Sequence, residues 1–430
     1  MNMAQWLPWL RQITRPNASR TAVYGCLDNR LDWHHQATDA EQEMEFMPKP
    51  EPSNPVANGA AGHALPFFWP PAAAARMEGS AFGAAARFFD FLGKAAQIDH
   101  PPPPAWHTPN TVRLDLPTMR LRQFGHPGKG VPVLIDAPFA GHGATIAAFD
   151  ERQSLVAALI GAGTDAVWVT DWKSATQEMR YFSIDTYLEE LNVAIDELGG
   201  RVSLVGLCQG GWLSAMLAAR FPHKVASLVL AGSPIDTDAG HGPIRQLAHT
   251  IPLSTYEKMV DMGGGRMPGR FMLAGWKNMH PDQQYLRKYV DLFEHAGDAD
   301  YVARTKHFES WYENPLDLPG SYYLQAIRLL FKENLFAKGR FTGLGRTLSL
   351  KDITCPTYLL AGEDDDITTK EQVFAAKDLL GTPAHLLESA LVPGGHIGLF
   401  MGHRTIAETW PVIGRWILSQ RQDAGRPRVR

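Results

Sequence analysis

Cysteine is scarce. Cys26, Cys208 and Cys355 are the only three in 430 residues, an odd number spread far apart, which excludes a disulfide framework and leaves room for one working thiol in a reducing compartment. A surplus of positive charge is also missing. Lys and Arg number 41 against 45 Asp and Glu, a formal net charge of −4, so the chain has no basic excess to grip a phosphate backbone, and nucleic acid is not an expected partner. Nor are there long apolar runs. No stretch approaches the roughly 18 residues of a membrane span. Residues 1–20, where Arg11 interrupts Trp6, Leu7, Trp9, Leu10 and Ile13, lack the apolar core and cleavage site of a signal peptide. What the chain does have is apolar bulk, 45% of its residues, enough for one large domain with appendages or for two. The expectation is a cytosolic enzyme.

Residues 1–106 differ from the rest. Prolines at 48, 50, 52 and 55, an Ala-rich stretch from Pro70 to Arg76 and the run Pro101 to Pro104 separate short apolar clusters, the composition of a partly disordered arm. Within it, Gln5 to Ile13 and Ser80 to Ile98 carry apolar residues at helical spacing, fit for packing on a main domain or for binding a polymer surface. From Thr111 short β-rich runs alternate with helical segments, the pattern of a mostly parallel sheet with helices on both faces. Strands are expected at Val131–Ile135, Ala166–Thr170, Val202–Val205, Ala226–Leu230 and Thr357–Ala361, with helices at Leu155–Gly161, Ile184–Leu198 and Trp212–Phe221. The expected division is a core in two parts, residues 107–235 and 351–420, a cap at 236–350 and a disordered tail at 421–430. The cap interrupts one sheet, so it should fold over the carboxyl edge, where such sheets place their ligands.

The sharpest local feature is Val202-Ser-Leu-Val-Gly206-Leu-Cys208-Gln-Gly210-Gly211-Trp212, a strand running through a glycine-flanked cysteine into a helix. A nucleophile elbow needs small residues two places either side of the reactive one, and a helix N-terminus aimed at the thiol favours its anion and later an oxyanion. Beyond the cap, Thr357–Ala361 leads into Gly362-Glu-Asp-Asp-Asp-Ile367, and Val392-Pro-Gly-Gly-His396 follows. Nucleophile, acid and histidine in this order is the chain order of α/β-hydrolases. Cys208, Asp365 and His396 form the candidate triad, with Asp364 and Asp366 as alternatives for the acid. His396 would take the thiol proton, and the carboxylate would orient the imidazole. Gln209 supplies one oxyanion donor. Phe139 or Ala140 supplies the other, from the loop Asp136-Ala-Pro-Phe139-Ala-Gly-His142-Gly143. His142 and Trp172 are candidate substrate contacts, although Trp172 fits packing equally well. No metal-ligand cluster or dinucleotide fingerprint occurs, so no cofactor is expected.

These residues resemble the superfamily of polyhydroxyalkanoate synthases and intracellular polyhydroxyalkanoate depolymerases, over roughly residues 106–420. Gly206-Leu-Cys208-Gln-Gly210-Gly211 and Ser154-Leu-Val before a strand ending in Asp171-Trp172 are synthase-like. The depolymerase branch is suggested by Ala137-Pro-Phe-Ala-Gly-His142-Gly-Ala-Thr145, Gly232-Ser-Pro-Ile-Asp236, Tyr322-Tyr-Leu-Gln-Ala-Ile327 and Gly395-His-Ile-Gly-Leu-Phe400. The resemblance implies an α/β-hydrolase fold with a mainly helical cap. Synthases usually place a His directly after the acid, where this chain has Asp366, and depolymerases a Pro where it has Gly210. The expected function is a depolymerase-like thiol esterase on 3-hydroxyalkanoate esters, with a synthase-like acyltransferase using a coenzyme A thioester as the alternative. A non-catalytic granule-binding protein is the reading from another class. Implied partners are a polyhydroxyalkanoate polymer or oligomer and the granule surface.

Overall fold

The computed structural model describes Lys94 and residues 101–279 and 288–423. The chain separates into two compact units, Met1–Asn54 and Pro55–Arg430. The first lies wholly outside the described residues, as do the expected arm segments at 5–13 and, apart from Lys94, at 80–98.

An eight-stranded sheet organises the second unit. In chain order its strands are β1 (Asn110–Asp115), β2 (Met119–Gly125), β3 (Val133–Asp136), β4 (Ala166–Trp172), β5 (Val202–Leu207), β6 (Val225–Ala231), β7 (Thr357–Gly362) and β8 (Leu387–Val392). Across the sheet the order is β1-β2-β4-β3-β5-β6-β7-β8. The first two strands pair antiparallel, β2 pairs antiparallel with β4, and every later pairing is parallel. This is an α/β-hydrolase fold. β3, β5 and β7 bury every residue, which is why Val-Leu-Ile and Val-Ser-Leu-Val read as unbroken apolar runs rather than alternating ones. The first hairpin and β8 were not among the expected strands. β1 and β8 are sheet edges with largely exposed side chains, and edge strands carry polar residues that hide their period.

Helices cover both faces. Helix α1 (Leu155–Gly161) starts where the Ser154 hydroxyl accepts from the Ala157 N–H at 3.0 Å, an N-cap that satisfies one free donor of the first turn. In helix α2 (Ile184–Glu197), Ile184, Tyr187, Leu188, Leu191, Ala194 and Ile195 share one buried face, the 3.6-residue period seen in the sequence. Helix α3 (Gln209–Arg220) begins three residues earlier than expected and is buried from Gly210 to Ala219. The last long helix runs Trp410–Asp423, three residues into the segment expected to be a tail.

β6 and β7 are hydrogen-bonded neighbours, so the intervening chain is an insertion into one sheet. It is mainly helical. Among its helices are α4 (Ala299–Tyr312) and α5 (Gly320–Gln325), the latter continuing as a wider turn through Lys332. Two two-stranded ribbons, 266–267 with 318–319 and 342–343 with 346–347, brace it.

Candidate active site

Cys208 sits between β5 and α3 with φ 52° and ψ −119°, a conformation that strains any residue with a Cβ. Its surroundings explain the flanking glycines. A Cβ on Gly206 would lie 2.4 Å from the Gly211 Cα, and one on Gly210 would lie 2.1 Å from the Asp136 carbonyl oxygen. The backbone holds the turn: the Cys208 N–H donates to Ala231 O, and the Gly211 N–H to Cys208 O, both at 2.9 Å. Cys208 is 7% exposed.

His396 and Asp365 come from the loops after β8 and β7. The imidazole Nδ1 meets Asp365 Oδ2 at 2.7 Å. The other carboxylate oxygen accepts the backbone N–H groups of Ile367 at 3.0 Å and Thr368 at 2.8 Å. Asp365 is buried and Asp364 exposed, so of the alternatives left open by the acidic run, Asp365 is the one that reaches the imidazole. Burial works against the charged form of His396. The charges of Asp365 and Cys208, with hydrogen bonds from both, outweigh burial and raise its pKa well above the usual imidazole range. On the other side of the ring, Nε2 is buried and faces the Cys208 thiol.

The loop from Asp136 to Gly143 is the second wall. Phe139 is fully buried, its ring 4.9 Å from that of Tyr187 and 5.4 Å from that of Tyr322. Below the loop, the Asp136 carboxyl accepts the hydroxyls of Thr170 and Ser214, each at 3.1 Å. Full burial overrides these bonds and pushes its pKa up to about 8, so at neutral pH the group is mainly an uncharged acid.

The two residues expected as substrate contacts, Trp172 and His142, are both packed against other side chains. Trp172 is 2% exposed, its indole N–H donates to Ala137 O at 3.0 Å, and its ring packs on Phe139 and Tyr187. It buttresses the loop from inside the core. His142 stacks on Trp311 and Tyr312 of α4, with ring centroids at 4.6 and 5.1 Å, and its Nε2–H donates to Tyr312 O at 3.1 Å. Burial lowers its pKa to about 4; it is a neutral ring that ties the loop to the cap. The Trp311 indole donates to Gly143 O at 2.9 Å, and the Leu316 N–H to Gly141 O at 2.6 Å. These links join residues more than 160 positions apart, and no local pattern announces them.

Among the described residues, no group of three His, Cys, Asp or Glu side chains is arranged to hold a metal ion, and no helix is long and apolar enough to cross a membrane. The family described as "Protein of unknown function (DUF3141)" matches residues 123–386, more than half of the chain and every part of the site except His396. The chain belongs to the DUF3141 family. This DUF3141 chain is also 29% identical over 273 residues to the poly(3-hydroxyalkanoate) polymerase subunit PhaC of Allochromatium vinosum, covering 62% of this chain and 75% of that one. It is 26% identical over 333 residues to the subunit of the same name from Haloferax mediterranei, covering 74% and 65%. These relatives agree with the superfamily that the elbow motif resembles. Among solved structures, a monoacylglycerol lipase from Paleococcus ferrophilus aligns with 70% of this chain and 99% of its own, at 18% identity and a TM-score of 0.46.

Proposed function

We propose that this protein transfers 3-hydroxyacyl groups through a thioester on Cys208. The observation that carries the reading is a buried imidazole–carboxylate pair beside a thiol held at a strained strand-to-helix turn. His396 holds the proton given up by the thiol, and the sulfur attacks the acyl carbonyl. The N–H groups of Gln209 and Phe139 are the proposed donors to the resulting oxyanion. Collapse expels coenzyme A or an alcohol, which leaves with the proton held by His396, and the acyl group stays on sulfur. A second nucleophile then gives its proton to His396 and attacks the thioester; the C–S bond breaks, the acyl group leaves on that nucleophile, and Cys208 is released as a thiolate beside the His396 imidazolium.

The identity of that second nucleophile separates polymerase from esterase. The names of the relatives favour the hydroxyl of another hydroxyacyl group, and the depolymerase-like expectation therefore gives way to its synthase-like alternative. One observation keeps hydrolysis as a second reading: Asp366 stands where synthases usually carry a His next to the acid, and water needs no further base beyond His396. Purified protein given 3-hydroxybutyryl-coenzyme A decides between them. Release of coenzyme A with insoluble polyester supports transfer, and release with free 3-hydroxybutyrate alone supports hydrolysis. No release above that of Cys208→Ala overturns both and leaves granule binding, for which localisation of that variant is the test.

A further inference from the structure

One phenol of the cap packs between α3 and the loop at 136–143. Tyr322, in α5, is fully buried. Its ring is wedged between the elbow helix and the second wall: the centroids of Trp212, Phe139 and Tyr187 lie 6.0, 5.4 and 4.6 Å away. Trp212 is one turn along α3 from Cys208, and Phe139 belongs to the loop proposed to complete the oxyanion site. Aromatic packing alone would be served as well by phenylalanine. The hydroxyl distinguishes tyrosine, and it is buried with no hydrogen-bond partner, an arrangement that costs roughly 1–3 kcal/mol unless something else is met there. It does not stand alone. The Trp212 indole N–H and the Gln209 side-chain oxygen, both on the first turn of α3, are likewise buried with no hydrogen-bond partner. Burial, with Tyr187, Asp136 and Cys208 nearby, holds the Tyr322 pKa well above the usual phenol range. At any working pH it is therefore a neutral donor and never a base.

We infer that Tyr322 is a further catalytic residue, its hydroxyl donating to the carbonyl oxygen of the acyl group on Cys208 as that oxygen gains charge. The donor comes from the cap and not from the core, so the oxyanion site is complete only with the cap in place. This rests on the Cys208 acyl-transfer reading, and the test separates the two. Cys208 is acylated with p-nitrophenyl butyrate carrying a 13C carbonyl, and the thioester C=O stretch is read by isotope-edited infrared in the wild type, Tyr322→Phe and Tyr323→Phe. The expected result is a shift to higher frequency in Tyr322→Phe only, with a fall of about 10²-fold in turnover and a melting temperature equal to or above that of the wild type. Turnover is compared on butyryl- and 3-hydroxybutyryl-coenzyme A, and the loss is expected to be equal on both. An unshifted carbonyl, or a loss confined to the hydroxyacyl substrate, overturns the role of Tyr322 and leaves Cys208 chemistry standing. Failure of the wild type to form any adduct on Cys208 overturns the thioester reading itself and this inference with it.

Discussion

The floor and the roof of the site are built by opposite means. On the floor, the backbone fixes everything: Cys208 is held in a left-handed conformation by glycines on which no Cβ fits, and Asp365 is anchored by two backbone N–H groups. The roof is tied by side chains. Stacked rings and single hydrogen bonds from Trp311, His142 and Leu316 join α4 and its following turn to the loop at 137–143. The difference teaches that the proposed nucleophile is fixed by the backbone itself, while the proposed donors around it are held by side-chain contacts that each cost little to break.

The strongest test of the floor is chemical. Cys208→Ala should abolish acyl transfer, whereas Cys355→Ala should leave it intact, because burial pushes the Cys355 thiol up to about 11 and keeps it unreactive; coenzyme A release measures both. Asp365→Asn should cost about 10³–10⁴-fold in kcat, since the lost carboxylate no longer selects the imidazole tautomer or stabilises its charged form. Asp364→Asn, at an exposed position, should stay within a few-fold. If those two results were exchanged, the geometry of the acidic turn would be wrong.

Gly210→Ala probes the same floor by shape, since the new Cβ meets a main-chain carbonyl that has no room to retreat. A loss of roughly 2–4 kcal/mol in denaturant unfolding is expected. The roof should respond more gently. Trp311→Phe removes one indole hydrogen bond, worth about 1 kcal/mol, and should accelerate alkylation of Cys208 by iodoacetamide with little change in melting temperature. An unchanged alkylation rate would mean that the cap is not what shields the thiol.

The smallest effect depends on pH. Asp136 is protonated in the native state up to about pH 8, while its unfolded counterpart ionises near pH 4. The unfolded state therefore gives up its proton first. Between those values stability falls as pH rises, and above about pH 8 the loss is complete. Asp136→Asn should flatten that slope, matching the wild type at pH 4 and exceeding it at pH 8.5 in urea unfolding.

Legibility in the sequence follows the same division. The elbow was readable because a small-x-Cys-x-small pattern records backbone crowding, and the buried strands because their apolar runs are local. The acidic run left three candidates, since sequence does not say which of Asp364, Asp365 and Asp366 turns inward; two Asx-type backbone bonds decide it. Trp172 and His142 lie at the carboxyl edge, the position that makes them candidate substrate contacts, while their rings pack in the core and against the cap, partners that lie far away in sequence. Tyr322 was visible only as part of a motif. Its partners, Phe139, Tyr187 and Trp212, lie more than 100 residues earlier, and aromatic residues in a helix signal a core before they signal a donor.

The near-complete burial of Cys208, 7% exposed beneath the cap, also bears on how this protein ages. Thiol damage by peroxide begins at the accessible thiolate and climbs through sulfenic to irreversible sulfinic acid. Cys355 is partly buried and held as the thiol, so neither of the two described cysteines presents an exposed thiolate to dissolved oxidant. Oxidation of Cys208 then waits on local openings of the surrounding packing, so whatever tightens that packing also slows the chemical wear of the thiol.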